Sequence, residues 1–168
     1  MISRSTWFGW FLAFVLGVWA GAWMFRDVQP RTFLSVHDEK VRFSAPELLG
    51  LVGSAFVQHA PKLVPGVIVV TDKTIAMKYP IPWKSKHHFV VVPRRDIRDV
   101  GTLAKGDEPY LVDAFAVISK VARDDGMKRY KVITNGPDAQ FVRYLHFHVV
   151  SIDPKGTPSD DRDTTEWK

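Results

Sequence analysis

The stretch QFVRYLHFHVVS, Gln140 to Ser151, sets His146 and His148 one residue apart in an otherwise apolar run, in a chain with only six histidines. Val142, Tyr144, Phe147, Val149 and Val150 are branched or aromatic, which favours a strand, and a strand sends alternate side chains to opposite faces. Tyr144, His146 and His148 are therefore expected on one face. Leu145, Phe147 and Val149 are expected on the other, packed on a core, so that the histidine face lines a groove or pocket.

The 168 residues give room for one domain and its accessories, and 46% hydrophobic content without low-complexity tracts describes a chain that folds. Cysteine is absent. That excludes disulfides, thiolate metal sites and cysteine nucleophiles, and fits an oxidising or a reducing compartment equally well. The net charge of +5 understates the body, because the tail from Asp153 carries five acids against three bases. Lys78, Lys84, Lys86, Arg94, Arg95 and Arg98 concentrate positive charge between two hydrophobic runs, either as a solvated basic face or as an attractor of phosphate groups, acidic headgroups or nucleic acid.

Trp7 to Phe25, WFGWFLAFVLGVWAGAWMF, holds no charge in 19 residues. At about 1.5 Å per residue a helix of that length crosses the ~30 Å hydrocarbon layer. Ala20-Gly21-Ala22 imitates a signal-peptidase site, yet the apolar run exceeds a signal core and tryptophans flank both ends, which favours an uncleaved anchor. Gly9, Ala13, Gly17 and Gly21 form a small-residue stripe at four-residue spacing, where another helix could approach, although such residues are common in membrane helices. Arg26, Arg31, Lys40 and Arg42 follow the span and only Arg4 precedes it, so the bias places the C-terminal domain in the cytoplasm.

The organisation expected is a flank at 1–6, an anchor at 7–25, a connector at 26–43, a domain at 44–152 and a mobile polar tail at 153–168. Ser44-Ala45-Pro46-Glu47 has the form of a capping box opening a short amphipathic helix with Leu48, Val52, Ala55 and Phe56 at helical spacing. GVIVV from Gly66, TIAMKY from Thr74 and HFVVVP from His88 read as consecutive antiparallel strands. Asp107 caps a long helix whose stripe is Leu111, Ala114, Phe115, Ile118, Val121 and Ala122 and which stops at Gly126. YKVIT from Tyr130 and the histidine-bearing run complete an α+β domain.

Tyr144-Leu145-His146-Phe147-His148-Val149-Val150, preceded by TNGPDAQ (134–140) and, earlier, by HHFVVVPRRDI (87–97), resembles the signature segments of the histidine-triad (HIT) superfamily of nucleotide hydrolases and transferases. The resemblance covers about residues 66–152. It implies a HIT-like antiparallel sheet with one long helix, here preceded by a single transmembrane helix. It also implies that His146 is the nucleophile on an α-phosphate and that His148 holds phosphate oxygens or passes a proton to the leaving group. His88 is similar to a further pocket histidine, Asn135 and Gln140 to residues that position the phosphate and support the loop. Lys86, Arg94 and Arg95 would draw the anionic substrate. Departures are Tyr144 at the first triad position, Asp96 where a histidine is usual, Lys78-Tyr79-Pro80 where an acidic residue commonly binds the ribose hydroxyls, and Phe141 where small or hydroxyl residues are frequent.

His-x-His with His88 could instead bind zinc or copper, but no carboxylate is placed to complete a set, so neither metal nor cofactor is expected. Three functions stand. One is a membrane-anchored nucleotide hydrolase or transferase working through a nucleotidyl-histidine. Another is a pyrophosphatase for a nucleotide-activated lipid such as CDP-diacylglycerol. The third is a non-catalytic domain serving a membrane complex. The partners expected are a nucleotide or nucleotide-lipid, the membrane, and a second copy or complex subunit that packs on the strand from Tyr130 and the helix from Pro109; a nucleic-acid partner is not expected.

Overall fold

The computed structural model describes residues 4–37, 40–79 and 87–152. Lys86 and the tail from Asp153 lie outside them. The first element is helix α1, Arg4–Phe25, whose apolar side chains are exposed along its length; Thr6–Phe25 has the length and hydropathy to cross a bilayer.

Residues 26–43, expected as a connector, carry an antiparallel hairpin of β1 (Leu34–His37) and β2 (Lys40–Phe43). Helix α2 follows at Ala45–His59. Ser44 is its N-cap by position, but no side-chain capping bond forms. Glu47, which a capping box would turn back, is drawn instead to Arg31 and Arg98.

The five-stranded sheet is built from β3 (Val67–Val70), β4 (Thr74–Lys78), β5 (His88–Pro93), β6 (Tyr130–Ile133) and β7 (Phe147–Ser151), in the order β3-β4-β5-β7-β6 with every neighbour antiparallel. The strand-forming runs behave as their residue types dictate, and β5 is buried throughout because both its faces are covered. Helix α3, Glu108–Asp124, lies between β5 and β6 in sequence. It ends at Gly126, whose φ of +66° suits a residue without Cβ. The Met127 N–H reaches Ala122 O and the Gly126 N–H reaches Arg123 O, the paired bonds of a Schellman stop.

Each face of the sheet has its own cluster. Under α3, Ala76, Phe89, Val91, Leu145, Phe147 and Val149 meet Ala114, Val117, Ile118 and Val121. Val117 takes the fully buried place expected of Phe115, which stays half exposed and leans on the Phe147 ring at 5.4 Å. On the other face Ile75, Val90, Val92 and Tyr144 meet Val57 of α2. The observed architecture is α+β, with the antiparallel HIT-like sheet.

Candidate functional site

β7 pairs with β5 so that Val90 faces His148 and His88 faces Val150. His88, Val90 and His148 therefore share the sheet face turned to α2. The strand does not extend back to Gln140 as expected: it begins at Phe147, leaving Tyr144 and His146 in the irregular segment before it. The cause is long-range pairing. The Leu145 N–H bonds Ile97 O at 2.6 Å and the Arg143 N–H bonds Pro46 O at 3.2 Å, so the segment is held by the loop after β5 and the start of α2 in place of a strand neighbour.

That irregular entry fixes His146. Its Nδ1 lies 2.6 Å from Tyr144 O. A carbonyl only accepts, so Nδ1 carries the proton and the Nε2 lone pair is left for chemistry. Burial pushes the His146 pKa below its ordinary value, and the bond to Tyr144 O pulls back in the opposite direction. The ring is thus a neutral imidazole near pH 7.

His148 stands beside it, with ring centroids 4.9 Å apart and planes near perpendicular. Its Nδ1 is 2.9 Å from His88 Nε2, so one ring donates to the other. When His88 donates, His148 keeps its own proton on Nε2 and can give it to an oxygen. Tyr79 stacks on His88 at 4.2 Å and meets His148 edge-on at 5.7 Å. Sequence marks Tyr79 only as part of the Lys78-Tyr79-Pro80 departure, though the alternation of Ile75, Met77 and Tyr79 along β4 and one residue past it would have placed it on the histidine face.

The other expected site residues are placed differently. Tyr144 is 3% exposed, and its hydroxyl donates to Pro93 O at 2.9 Å. Its side chain is core, with the phenol pKa pushed well up by burial, and it is the backbone carbonyl of this residue that orients His146. Arg94 has a role in the fold: its guanidinium donates to Val57 O, Thr71 O and Gln58 O, which ties α2 to the β3–β4 turn and engages three of its five N–H groups. Arg95 pairs with Asp107 at 2.8 Å and Arg98 with Glu47 at 2.9 Å, so three of the arginines expected to form a basic patch are engaged in the fold. Gln140 is buried, its Nε2 bonded to Asn135 O at 3.1 Å, which braces the loop that both residues begin and end. Among the described residues no group of three or more histidines and carboxylates converges as a metal site.

Below the site runs an ionic network that sequence reading missed. Arg31, almost fully buried, pairs with Asp96 and Glu47 and donates to Arg143 O at 2.6 Å. Asp96 also accepts from the Gln29 N–H at 2.7 Å. Burial raises the Asp96 pKa while Arg31 and the Gln29 N–H lower it, so the pair tolerates a buried charge more than it adds net stability. Gly50 of α2 makes room: a Cβ there would meet Arg143 O at 2.5 Å and Arg31 Nη1 at 2.6 Å. The segment that follows α1 thus holds the carbonyl three residues before His146.

Comparison with known proteins agrees with this fold. A HIT family hydrolase from Clostridium thermocellum shares 26% identity and a TM-score of 0.54, over 61% of this chain and 92% of that one. A structure described as a Hit-like protein shares 26% identity and a TM-score of 0.51, over 61% of this chain and 98% of that one. A HIT domain-containing protein of Dictyostelium discoideum is 32% identical over 97 residues, covering 52% of this chain and 24% of that protein, so the match spans about a quarter of the relative's length. Residues 57–162 match the family described as scavenger mRNA decapping enzyme C-term binding, a stretch that contains the sheet, α3 and all three site histidines, and the chain belongs to that family of HIT domains.

Proposed function

We propose that this chain is a membrane-anchored HIT-type nucleotide hydrolase or transferase that cleaves at an α-phosphate through a nucleotidyl-His146 intermediate. The observation that carries it is the bond from His146 Nδ1 to Tyr144 O, which leaves a neutral, oriented Nε2 lone pair next to the His148–His88 pair. His146 Nε2 attacks the α-phosphorus, an N–P bond forms as the P–O bond to the leaving group breaks, and the proton on His148 Nε2 goes to the departing oxygen. Water then attacks the phosphorus, returns a proton to His148 and breaks the N–P bond, releasing the nucleoside monophosphate. Helix α1 supplies the anchor, and the lysine and arginine bias puts the domain on the cytoplasmic side. Val112 and Phe115 on α3 and Tyr130, Val132 and Ile133 on the edge strand β6 are exposed apolar residues suited to a second copy.

The test is turnover by the full chain on a panel of nucleoside diphosphate conjugates, including lipid-linked ones such as CDP-diacylglycerol, with release of nucleoside monophosphate as the readout. Activity is expected in the wild type and in Lys120→Ala, and loss of at least a hundredfold in His146→Ala. A requirement for the diacylglycerol moiety would assign the lipid-directed substrate. A second reading, a nucleotide-binding accessory subunit without turnover, draws on Tyr144: a core phenol stands where the triad's first histidine would be. Equal rates in His146→Ala and wild type, with nucleotide binding retained, would establish it.

A further inference from the structure

Helix α2 is inverted relative to an ordinary surface helix, whose large apolar residues face the core. Its inward residues are Glu47, Gly50, Ser54, Ala55 and Val57. Four of its large apolar residues, Leu48, Leu49, Val52 and Phe56, are 40–46% exposed, and Leu51 is partly buried. Positions 48, 52 and 56 fall on one stripe of a 3.6-residue helix, with 49 beside it. Exposed apolar residues also flank the helix in sequence on both sides. Leu34 and Phe43 are register partners at the open end of the β1–β2 hairpin, and Leu63 follows α2; all three are exposed. Arg42 and Lys62, also exposed, stand next to Phe43 and Leu63.

The position of this surface is set by α1. The Trp23 ring, in the last turn and a half of α1, lies 4.6 Å from the His59 ring at the end of α2. Four residues beyond Phe25, the Gln29 N–H is bonded to the buried Asp96, and Arg31 is locked to Asp96 and Arg143 O. Four residues reach at most about 14 Å. Arg31 also pairs with Glu47 in the first turn of α2, so both ends of that helix are tied to the short stretch of chain that leaves the span.

We propose that α2 is an interfacial membrane element: Leu48, Leu49, Val52 and Phe56 sit at the headgroup–acyl boundary of the bilayer that α1 crosses, with Arg42 and Lys62 among the headgroups. Because Val57 of α2 packs on the sheet face that carries His148, that face is the one turned toward the lipid. The inference rests on α1 spanning the bilayer, and the test separates the two.

The chain has no cysteine, so single spin labels are unambiguous. Leu12→Cys, Val52→Cys, Phe56→Cys and, at an exposed position of the loop before α3, Lys105→Cys are each labelled in the full chain and reconstituted in phosphatidylcholine–phosphatidylglycerol vesicles, and collision with oxygen and with a water-soluble nickel chelate is measured. The 52 and 56 labels are expected to show an oxygen-to-nickel ratio several-fold above that at 105 and below that at 12, which lies deeper in the hydrocarbon. Nickel accessibility at 52 and 56 equal to that at 105, with 12 lipid-exposed, overturns the interfacial helix and leaves the anchor standing. Water exposure at 12 overturns both. Shielding of 52 and 56 from both reagents also overturns the proposal, in favour of a protein covering, and dipolar broadening between 52 labels would identify that covering as a second copy.

Discussion

The sheet face under α3 and the face under α2 are made by the same strands, but they are closed by different means. Under α3 the contact is aliphatic and aromatic on both sides, with Val91, Leu145 and Val149 fully enclosed. Under α2 only Val57 reaches a cluster of similar residues, while Glu47, Gly50 and Ser54 meet Arg31, Asp96 and Arg143 O. The difference is what makes a site there. A closed hydrophobic face has no place for an imidazole with an available lone pair. A face held by directed bonds can fix His146 and still leave it partly exposed.

The sharpest way to break the contrast is Arg31→Met. Removing the cation leaves Asp96 buried without its counter-charge, at a cost of about 3–5 kcal/mol. The Asp96 pKa, already raised by burial, rises further in the variant. A carboxyl with a raised folded-state pKa contributes stability below its unfolded value and loses it as pH rises through the folded value. The gap between wild type and variant in urea unfolding is therefore expected to be widest at neutral pH and to narrow on acidification toward pH 4. A gap independent of pH would remove Asp96 from the explanation.

On the other face, Ile118→Ala deletes a side chain that is 2% exposed in the α3 core, and is expected to cost about 2–5 kcal/mol with no pH dependence. The rate per folded molecule should be unchanged. If activity fell more than the folded fraction, the two faces would be coupled in a way their separate clusters do not suggest.

The α3 face was legible from the sequence because it obeys two periodicities: period two in the strands and 3.6 in the helix, closed by a glycine with positive φ. The α2 face was only partly legible. The strand rhythm from Tyr144 to His148 continues without a break in sequence, yet the strand begins at Phe147, because the bonds to Ile97 O and Pro46 O come from distant parts of the chain. Charge was equally silent about destination. Arg94 looks like a phosphate ligand in sequence, and only the fold shows its donors on three carbonyls. Arg31 sits in what reads as a connector, and nothing local marks it as buried.

A pH profile sharpens the assignment of His146. A base whose folded pKa is lowered is neutral, and nucleophilic, at all pH values above it. The acid limb of kcat/KM is therefore expected below pH 6.5, falling about tenfold per pH unit, with a plateau through neutrality. An acid limb centred above pH 6.5 would be incompatible with a buried His146 as the titrating nucleophile.

The smallest effect belongs to Tyr144, the residue on which sequence and structure differ most in meaning. Were its hydroxyl a substitute for the triad histidine, Tyr144→Phe would lower kcat and Tyr144→His would restore a family-like rate. The structure instead spends the hydroxyl on Pro93 O and leaves the orientation of His146 to the Tyr144 carbonyl, which every residue possesses. Tyr144→Phe is then expected to cost about 0.5–1.5 kcal/mol of stability through one lost bond and the unpaired Pro93 carbonyl, with kcat per folded molecule and its pH profile unaltered. Tyr144→His puts a second polar atom into the cluster of Ile75, Val90 and Val92, and is expected to be the less stable of the two and no faster than wild type. A tenfold gain in kcat for Tyr144→His would show that the ring can leave the core and join His146, and would return residue 144 to the chemistry.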